Sequence, residues 1–271
     1  MCEVILNRLG SILMDIPILV GNDVPYVTTE QMIEVDRAMM EDYQIELIQM
    51  MENAGRNLAH LARMRFLNGH PGGKLIAVLA GSGGNGGGAL VCARHLSNWG
   101  VDVRVYITKK EDAFTPTPAH QLDILHLMHV PVEAANAVSQ LNSPDLIVDG
   151  IIGYSLSGAP RGTAADLIRW ANGQTAPVLS LDAPSGVDNT SGVVFDPAIR
   201  AAATMTLALP KAGLRTSGAA ANVGELYLAD ISVPPALYAE PALQLKVGAI
   251  FAHSDIIRLS HEGEKPANHA E

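Results

Sequence analysis

Basic side chains are scarce in this chain: 18 Lys and Arg stand against 28 Asp and Glu over 271 residues, for a formal net charge of −10. Neutralising a nucleic-acid backbone needs a basic face, so that class of partner is excluded. Cysteine is nearly absent. Cys2 and Cys92 are too few and too far apart for a disulfide framework, which fits a reducing compartment. Long apolar runs are missing too, and none reaches the ~18 residues of a membrane span. The opening residues Met1-Cys-Glu-Val-Ile-Leu-Asn-Arg-Leu-Gly10 carry an acid near the front and lack a signal-peptide layout. A cytoplasmic protein is expected, with neither nucleic acid nor membrane as partner.

Apolar residues make up 48% of the chain, enough for a substantial core in one α/β domain. The run Leu75-Ile-Ala-Val-Leu-Ala80 reads as a fully buried strand. It empties into Gly81-Ser-Gly-Gly-Asn-Gly-Gly-Gly88, a loop with six glycines in eight residues, and then into the helical spacing of Ala89 to Trp99. Strand, glycine loop and helix in that order make a phosphate-binding turn. Missing Cβ atoms let the backbone approach a ligand, and the helix's first N–H groups attract anions. The spacing Gly81-x-Gly83-x-x-Gly86 fits the dinucleotide fingerprint. A nicotinamide dehydrogenase would also end its second strand in a carboxylate. Here Val101-Asp-Val-Arg-Val-Tyr-Ile107 ends in Thr108-Lys109-Lys110, so the simplest dehydrogenase reading loses ground and the lysines read as solvated.

Elements alternate along the chain. A helical region is expected from Thr28 to about Phe66, opened by the capping-box spacing of Thr28 and Gln31. Met32, Val35, Met39 and Met40 mark one apolar face, Ile48, Met51, Ala54, Leu58 and Leu61 a second, and the methionines read as core filler. Further helices are expected from Pro118 to about Met128 and from Ala164 to Trp170. Strands are expected at Leu146 to Ile152, Pro177 to Asp182, Ala203 to Ala208 and Glu225 to Ala229. Continuous apolar strands between helices imply a mostly parallel sheet covered on both faces. The boundaries expected are an arm over 1–25, the domain over 26–240, and a partly disordered extension over 241–271, polar and frayed from about 262.

The polar residues form a pattern. Asn85 follows the strand Leu75 to Ala80, Asp149 lies near the carboxyl end of Leu146 to Ile152, Asp182 ends the next, and Lys211 follows the strand after that. In an open α/β sheet, ligands bind outside the carboxyl ends of the strands, so the four point to one shared site.

Five ordered motifs carry a family resemblance. They are Met51-Glu-Asn-Ala-Gly55, the loop Gly81 to Gly88 with Arg94-His95-Leu96, Asp145-Leu-Ile-Val-Asp149, Asp182-Ala-Pro-Ser-Gly186 and Leu209-Pro-Lys-Ala-Gly-Leu214. Over residues 26–230 the chain resembles the NAD(P)H-hydrate epimerase family, the YjeF N-terminal domain. The resemblance implies a three-layer αβα Rossmann-like fold with a mostly parallel sheet and an N-terminal helical segment, usually as a homodimer. It implies an isomerase that interconverts the R and S forms of hydrated NADH or NADPH, a damage product bearing a hydroxyl at C6 of the nicotinamide ring. A separate ADP- or ATP-dependent dehydratase, fused to this domain in many bacteria, then acts on the S form; a stand-alone epimerase is expected here.

By the same resemblance, potassium would be held by Asn85, Asp149 and Ser185, hard oxygen ligands suited to a hard cation. Substrate contacts would fall on Gly84, Asn85, Gly86, Gly87 and Gly88, on Gly153, Tyr154, Ser155, Leu156, Ser157, Gly158 and Ala159, and on Asp182. Asp182 and Lys211 are the catalytic candidates, Asp182 for proton transfer or hydroxyl orientation. Lys211 would stabilise substrate phosphate or poise Asp182. The family loop commonly reads Asn-Asn-Gly-Gly-Asp, whereas Gly84 and Gly88 replace its first Asn and its Asp here. Two alternatives follow from those replacements: a non-catalytic nucleotide-binding or protein-interaction module, or an enzyme retuned to another nucleotide derivative.

Other motifs are weaker. Gly153-x-Ser155 lacks the glycine of a nucleophile elbow at Ser157 and any recognisable triad His. His126-x-x-His129 has no nearby carboxylate or cysteine to complete a zinc set. His95 reads as a packing residue. Glu52-Asn53 either borders the pocket or bonds nearby backbone.

Overall fold

The computed structural model describes residues 16–260. Cys2 and the frayed end expected from about 262 lie outside the described residues. Strands β1 (Ile18–Val20), β2 (Leu75–Ala80), β3 (Asp102–Ile107), β4 (Val132–Ala134), β5 (Leu146–Gly150), β6 (Val178–Leu181), β7 (Ala203–Leu207), β8 (Glu225–Ala229) and β9 (Ile256–Ser260) join one sheet in the order β1-β9-β8-β7-β6-β5-β2-β3-β4. Strands β2 to β8 run parallel, while β9 pairs antiparallel with β8 and carries β1 parallel to itself.

Side chains on β2 show why three layers form. Ile76, Val78 and Ala80 face one core with α2 (Leu47–Leu61), α3 (Gly84–Asn98) and α4 (Pro116–Leu127), which supply Leu58, Leu90, Leu96 and Leu122. Ala77 and Leu79 face the other, beside Leu167 and Ile168 of α5 (Gly162–Asn172). A strand buried on both sides has no polar alternation, and its continuous apolar run follows.

Before β2 in the chain comes α1 (Thr29–Glu41), opened by the expected capping box: Gln31 N–H donates to Thr28 Oγ1 at 3.3 Å and Thr28 N–H to Gln31 Oε1 at 2.9 Å. Glu46 and Gln49 form a second box at the start of α2, which ends in a π turn over 62–66.

Two expectations need correction. The sheet crosses the boundaries drawn at 25 and 240, because β1 and β9 come from the expected arm and extension. The glycine stretch is a loop only to Gly83, since α3 already begins at Gly84. Close packing is the reason: a Cβ at Gly86 would lie 1.8 Å from the Gly81 carbonyl oxygen, and one at Gly55 of α2 would lie 2.4 Å from Val91 Cβ. Side chains at these points would drive the two helices and the strand end apart.

Candidate active site

From β2 the chain moves outward through β3 and β4, then returns to place β5 on the other side of β2. That reversal is the switch point of the sheet, where the segments leaving two neighbouring strands diverge and open a crevice. A cavity of about 550 Å³ sits there. Its wall includes Gly84, Asn85 and Gly88 of α3, Gly153, Tyr154 and Ser155 after β5, Leu181 and Asp182 at the end of β6, and Lys211 after β7. Met32 and Met40 of α1 and Met50 and Met51 of α2 complete much of the apolar side, so these methionines serve the cavity and are more than core filler. Their flexible thioethers suit an irregular ligand face.

The expected groups thus converge, with some differences. Gly86, Gly87, Leu156, Ser157, Gly158 and Ala159 are not among the cavity-lining residues. Asp149 and Ser185 lie fully buried at the sheet end, linked to the cavity wall through Ile152. Asp149 Oδ2 accepts from Ser180 Oγ at 2.8 Å, its cross-strand neighbour, and from Ser185 N–H at 2.9 Å. Its Oδ1 accepts from Ser185 Oγ at 2.6 Å and from Ile151 N–H at 3.2 Å. Burial holds the Asp149 carboxyl above its ordinary range, partly offset by these donors. Asn85 packs its amide against Gly153, where a Cβ would lie 3.1 Å from Asn85 Oδ1. Among the described residues the buried Asn85 Nδ2 has no hydrogen-bond partner.

Lys211 and Asp182 are buried together. Lys211 Nζ donates to Asp182 Oδ1 and, at 2.9 Å, to the Leu207 carbonyl, and the Leu207 N–H approaches the same Asp182 oxygen at 3.4 Å. The hydrogen bonds Asp182 accepts among the described residues all fall on Oδ1, which leaves Oδ2 for a ligand. Asp182 reaches this position with φ of 64°, a left-handed conformation that Asp tolerates better than bulkier residues. Residues 27 and 211 also form a parallel bridge, with Val27 N–H on the Pro210 carbonyl at 2.9 Å, so the segment leading into α1 braces the lysine.

Sequence reasoning missed several cavity residues, among them Asp36, Arg37 and Glu41. Asp36 of α1 lines the cavity and accepts a hydrogen bond from the Tyr154 hydroxyl. Burial raises its pKa above the ordinary carboxylate range. The available signal was its place four residues after Met32 and three before Met39, on the apolar side of α1.

The other motifs lie elsewhere. Glu52 joins Arg94 and His95, at 2.9 Å from His95 Nε2, and ties α2 to α3 outside the cavity. His126 pairs with Glu111 at 3.1 Å, and among the described residues no group of three or more His, Cys, Asp or Glu could hold a metal. Lys109 and Lys110 are solvent-exposed, as expected. At Gly84 an added Cβ would meet nothing within 4 Å, whereas at Gly88 it would come to 2.7 Å from Leu181 Cδ2. Glycine at 84 is therefore not a steric demand, and at 88 Leu181 takes up the space.

Comparison with known proteins agrees with this geometry. Residues 47–213 match the family model described as YjeF-related protein N-terminus. A protein of Dehalogenimonas lykanthroporepellens named NAD(P)H-hydrate epimerase is 41% identical over 224 residues, spanning 83% of this chain and 89% of that one. A Salinibacter ruber protein named bifunctional NAD(P)H-hydrate repair enzyme Nnr is 34% identical over 78% of this chain, which spans 41% of that protein's length. The crystal structure of yeast ynu0, YNL200c, superposes with a TM-score of 0.73 at 28% identity, covering 87% of this chain and all of the yeast one. With its motifs seated at the switch point and a family match over most of its core, the chain belongs to the YjeF-related protein N-terminus family.

Proposed function

We propose that this protein is an NAD(P)H-hydrate epimerase, interconverting the R and S forms of hydrated NADH and NADPH. The observation that carries the reading is the buried Asp182–Lys211 pair on a cavity at the sheet's switch point, in a chain that covers 89% of a relative named for that activity. Moving the C6 hydroxyl between ring faces requires a proton delivered to that oxygen and withdrawn again, whether water leaves and returns or the ring opens and recloses. Asp182 Oδ2 is the group assigned to that proton. Lys211 holds Oδ1, fixes the carboxylate's orientation and offsets its charge. The glycine-built first turn of α3 brings N–H groups close to the dinucleotide's phosphates.

Potassium fits the residues beneath the cavity. Every hydrogen bond given to buried Asp149 comes from a neutral donor, so a monovalent cation would supply the missing charge. Asn85, Asp149 and Ser185 would hold it. When bound, it would neutralise the carboxylate and favour an anionic ligand nearby.

A homodimer is part of the reading and is tested by sedimentation velocity. A functional partnership with a separate ADP- or ATP-dependent dehydratase is supported by the longer relative named as a bifunctional repair enzyme. A cytoplasmic site of action is part of the reading, supported by the scarcity of cysteine in the sequence. The binding-module alternative is disfavoured by the same Asp182–Lys211 pair, because a scaffold gains nothing from a buried charge pair aimed into a cavity. The test is turnover of purified NADPH hydrate by the wild-type protein and by Asp182→Asn: acceleration lost in the variant supports the enzyme and its site, and a wild-type rate equal to the spontaneous one removes the reading.

A further inference from the structure

Besides Asp182 the cavity is lined by the carboxyls of Asp36 and Glu41, and the reaction above has no use for Asp36. Asp36 shares the cavity with Asp182 and Lys211, and its partner Tyr154 belongs to residues 151–161, which cross from β5 to α5 without regular secondary structure. The start of that crossing is well held. Ile151 N–H bonds Asp149, and the Ile152 N–H and carbonyl both bond Ser185 Oγ, at 2.9 and 3.2 Å. Beyond Ile152 the picture changes. Among the described residues, the Tyr154 hydroxyl on Asp36 is the hydrogen bond that ties residues 153–161 to another element. Tyr154 also packs against the apolar cluster that includes Met32, Val35, Met39 and Met50.

We infer that Asp36 is a positioning residue for the epimerisation: through Tyr154 it latches the wall formed by Gly153, Tyr154 and Ser155 to α1, giving the cavity the shape that binds the dinucleotide. The inference rests on the epimerase reading for its substrate but not for the latch itself. An ionised carboxylate accepts the phenol's proton strongly, whereas a protonated one loses that charge-assisted bond. The groups facing Asp36 are Tyr154 after β5, Asp182 after β6, Lys211 after β7 and Tyr238 from the turn over 235–238. Lys211 favours the ionised form; burial and Asp182 oppose it, and burial is the largest influence. Arg37 and Glu41 also line the cavity and pair with each other, and Arg37 further engages Glu34 and Asp42. The sign is then set. Asp36 keeps its proton to a higher pH than an ordinary carboxyl, so the latch is complete above its pKa and fails as pH falls through it.

Two readouts test this. Steady-state kinetics on NADPH hydrate should show KM raised about tenfold in Asp36→Ala and in Tyr154→Phe, with kcat changed less. The double variant should be no worse than either single one, because both remove the same bond. Asp36→Asn keeps an accepting oxygen but cannot titrate. Like the protonated acid it offers only a neutral acceptor, so its KM should sit at the wild type's acid-side value and stay flat with pH, and it remains informative if Asp36→Ala does not fold. Hydrogen exchange of the amides over 153–159, without ligand, should quicken in Asp36→Ala and, in the wild type, as pH falls after correction for intrinsic exchange. Additive single effects, an acid limb unchanged in Asp36→Asn, or exchange unaltered by Asp36→Ala would each overturn the latch. Failure of the wild type to epimerise at all would instead remove the epimerase reading, and the exchange experiment would still decide the latch.

Discussion

Lys211 and Asp182 form an ion pair in which the lysine has 0% and the aspartate 4% of its surface exposed. Long charged side chains are almost never buried to that degree without partners, and replacing such a pair by apolar residues is often neutral or stabilising. The pair also sits on bent backbone, with φ of 64° at Asp182 and 63° at Ala208. Two strand ends therefore leave the regular sheet to bring a costly pair to a cavity wall. Stability alone gives no reason for that arrangement; a reaction needing a fixed carboxylate oxygen does.

Breaking the pair from the lysine side should be expensive. Lys211→Met leaves a buried carboxylate unpaired and should lower unfolding free energy by about 3–5 kcal/mol. The double variant Asp182→Asn/Lys211→Met should recover part of that loss, because no unpaired charge remains. Urea unfolding of the wild type and both variants measures both effects, and a double variant no more stable than Lys211→Met would count against a directly coupled pair.

Asp182→Asn separates chemistry from architecture. The amide oxygen still accepts from Lys211 and the Leu207 N–H, so the circular dichroism spectrum should stay native. kcat/KM should fall by at least about 100-fold, the scale of a lost general acid–base. Retained turnover would move the proton-transfer role to another group.

The residues proposed to hold potassium should behave unequally. Asn85 leaves its own Nδ2 without a partner among the described residues, so Asn85→Ala should cost under about 1 kcal/mol of stability while weakening potassium dependence and nucleotide binding together. Asp149→Ala strands the donors of Ser180, Ser185 and Ile151, and should cost at least about 2 kcal/mol as well as the potassium effect. Thermal melts with and without potassium chloride, against sodium chloride, test the contrast. Loss of stability alone in Asp149→Ala would make that residue structural.

The two glycines that depart from the family loop can be restored separately. Gly84→Asn enters open space and should change stability by no more than about 0.5 kcal/mol. Gly88→Asp must displace Leu181 Cδ2, the far end of a flexible side chain, and should still fold. If the loss of these groups was merely tolerated, both variants should keep or raise kcat/KM on NADPH hydrate. A clear fall in either would point to a pocket retuned for another ligand.

Much of this site was legible because its residues sit in motifs with a local physical cause. The apolar runs of β2, β5 and β6 mark central parallel strands, and polar residues at their carboxyl ends have nowhere to go but the switch point. Asp36 was harder to see, since a lone carboxylate at helical spacing reads as surface until the fold brings Tyr154 against it across 118 positions of sequence. β9 was missed for a related reason. Ile256-Ile-Arg-Leu-Ser260 is short, and its strand state depends on pairing with β8 and β1, a tertiary effect that local propensity does not carry. The start of α3 inside the glycine stretch is likewise a packing outcome, because glycine's own preference opposes helix and only close contact with β2 and α2 favours it.

The most direct test of the central claim is the rate of R-to-S conversion of purified NADPH hydrate, in potassium and in sodium buffer, with the spontaneous rate subtracted. The account predicts acceleration by the wild-type protein, greater in potassium and abolished in Asp182→Asn. A rate indistinguishable from the spontaneous one in both buffers, with correctly folded protein, would contradict it.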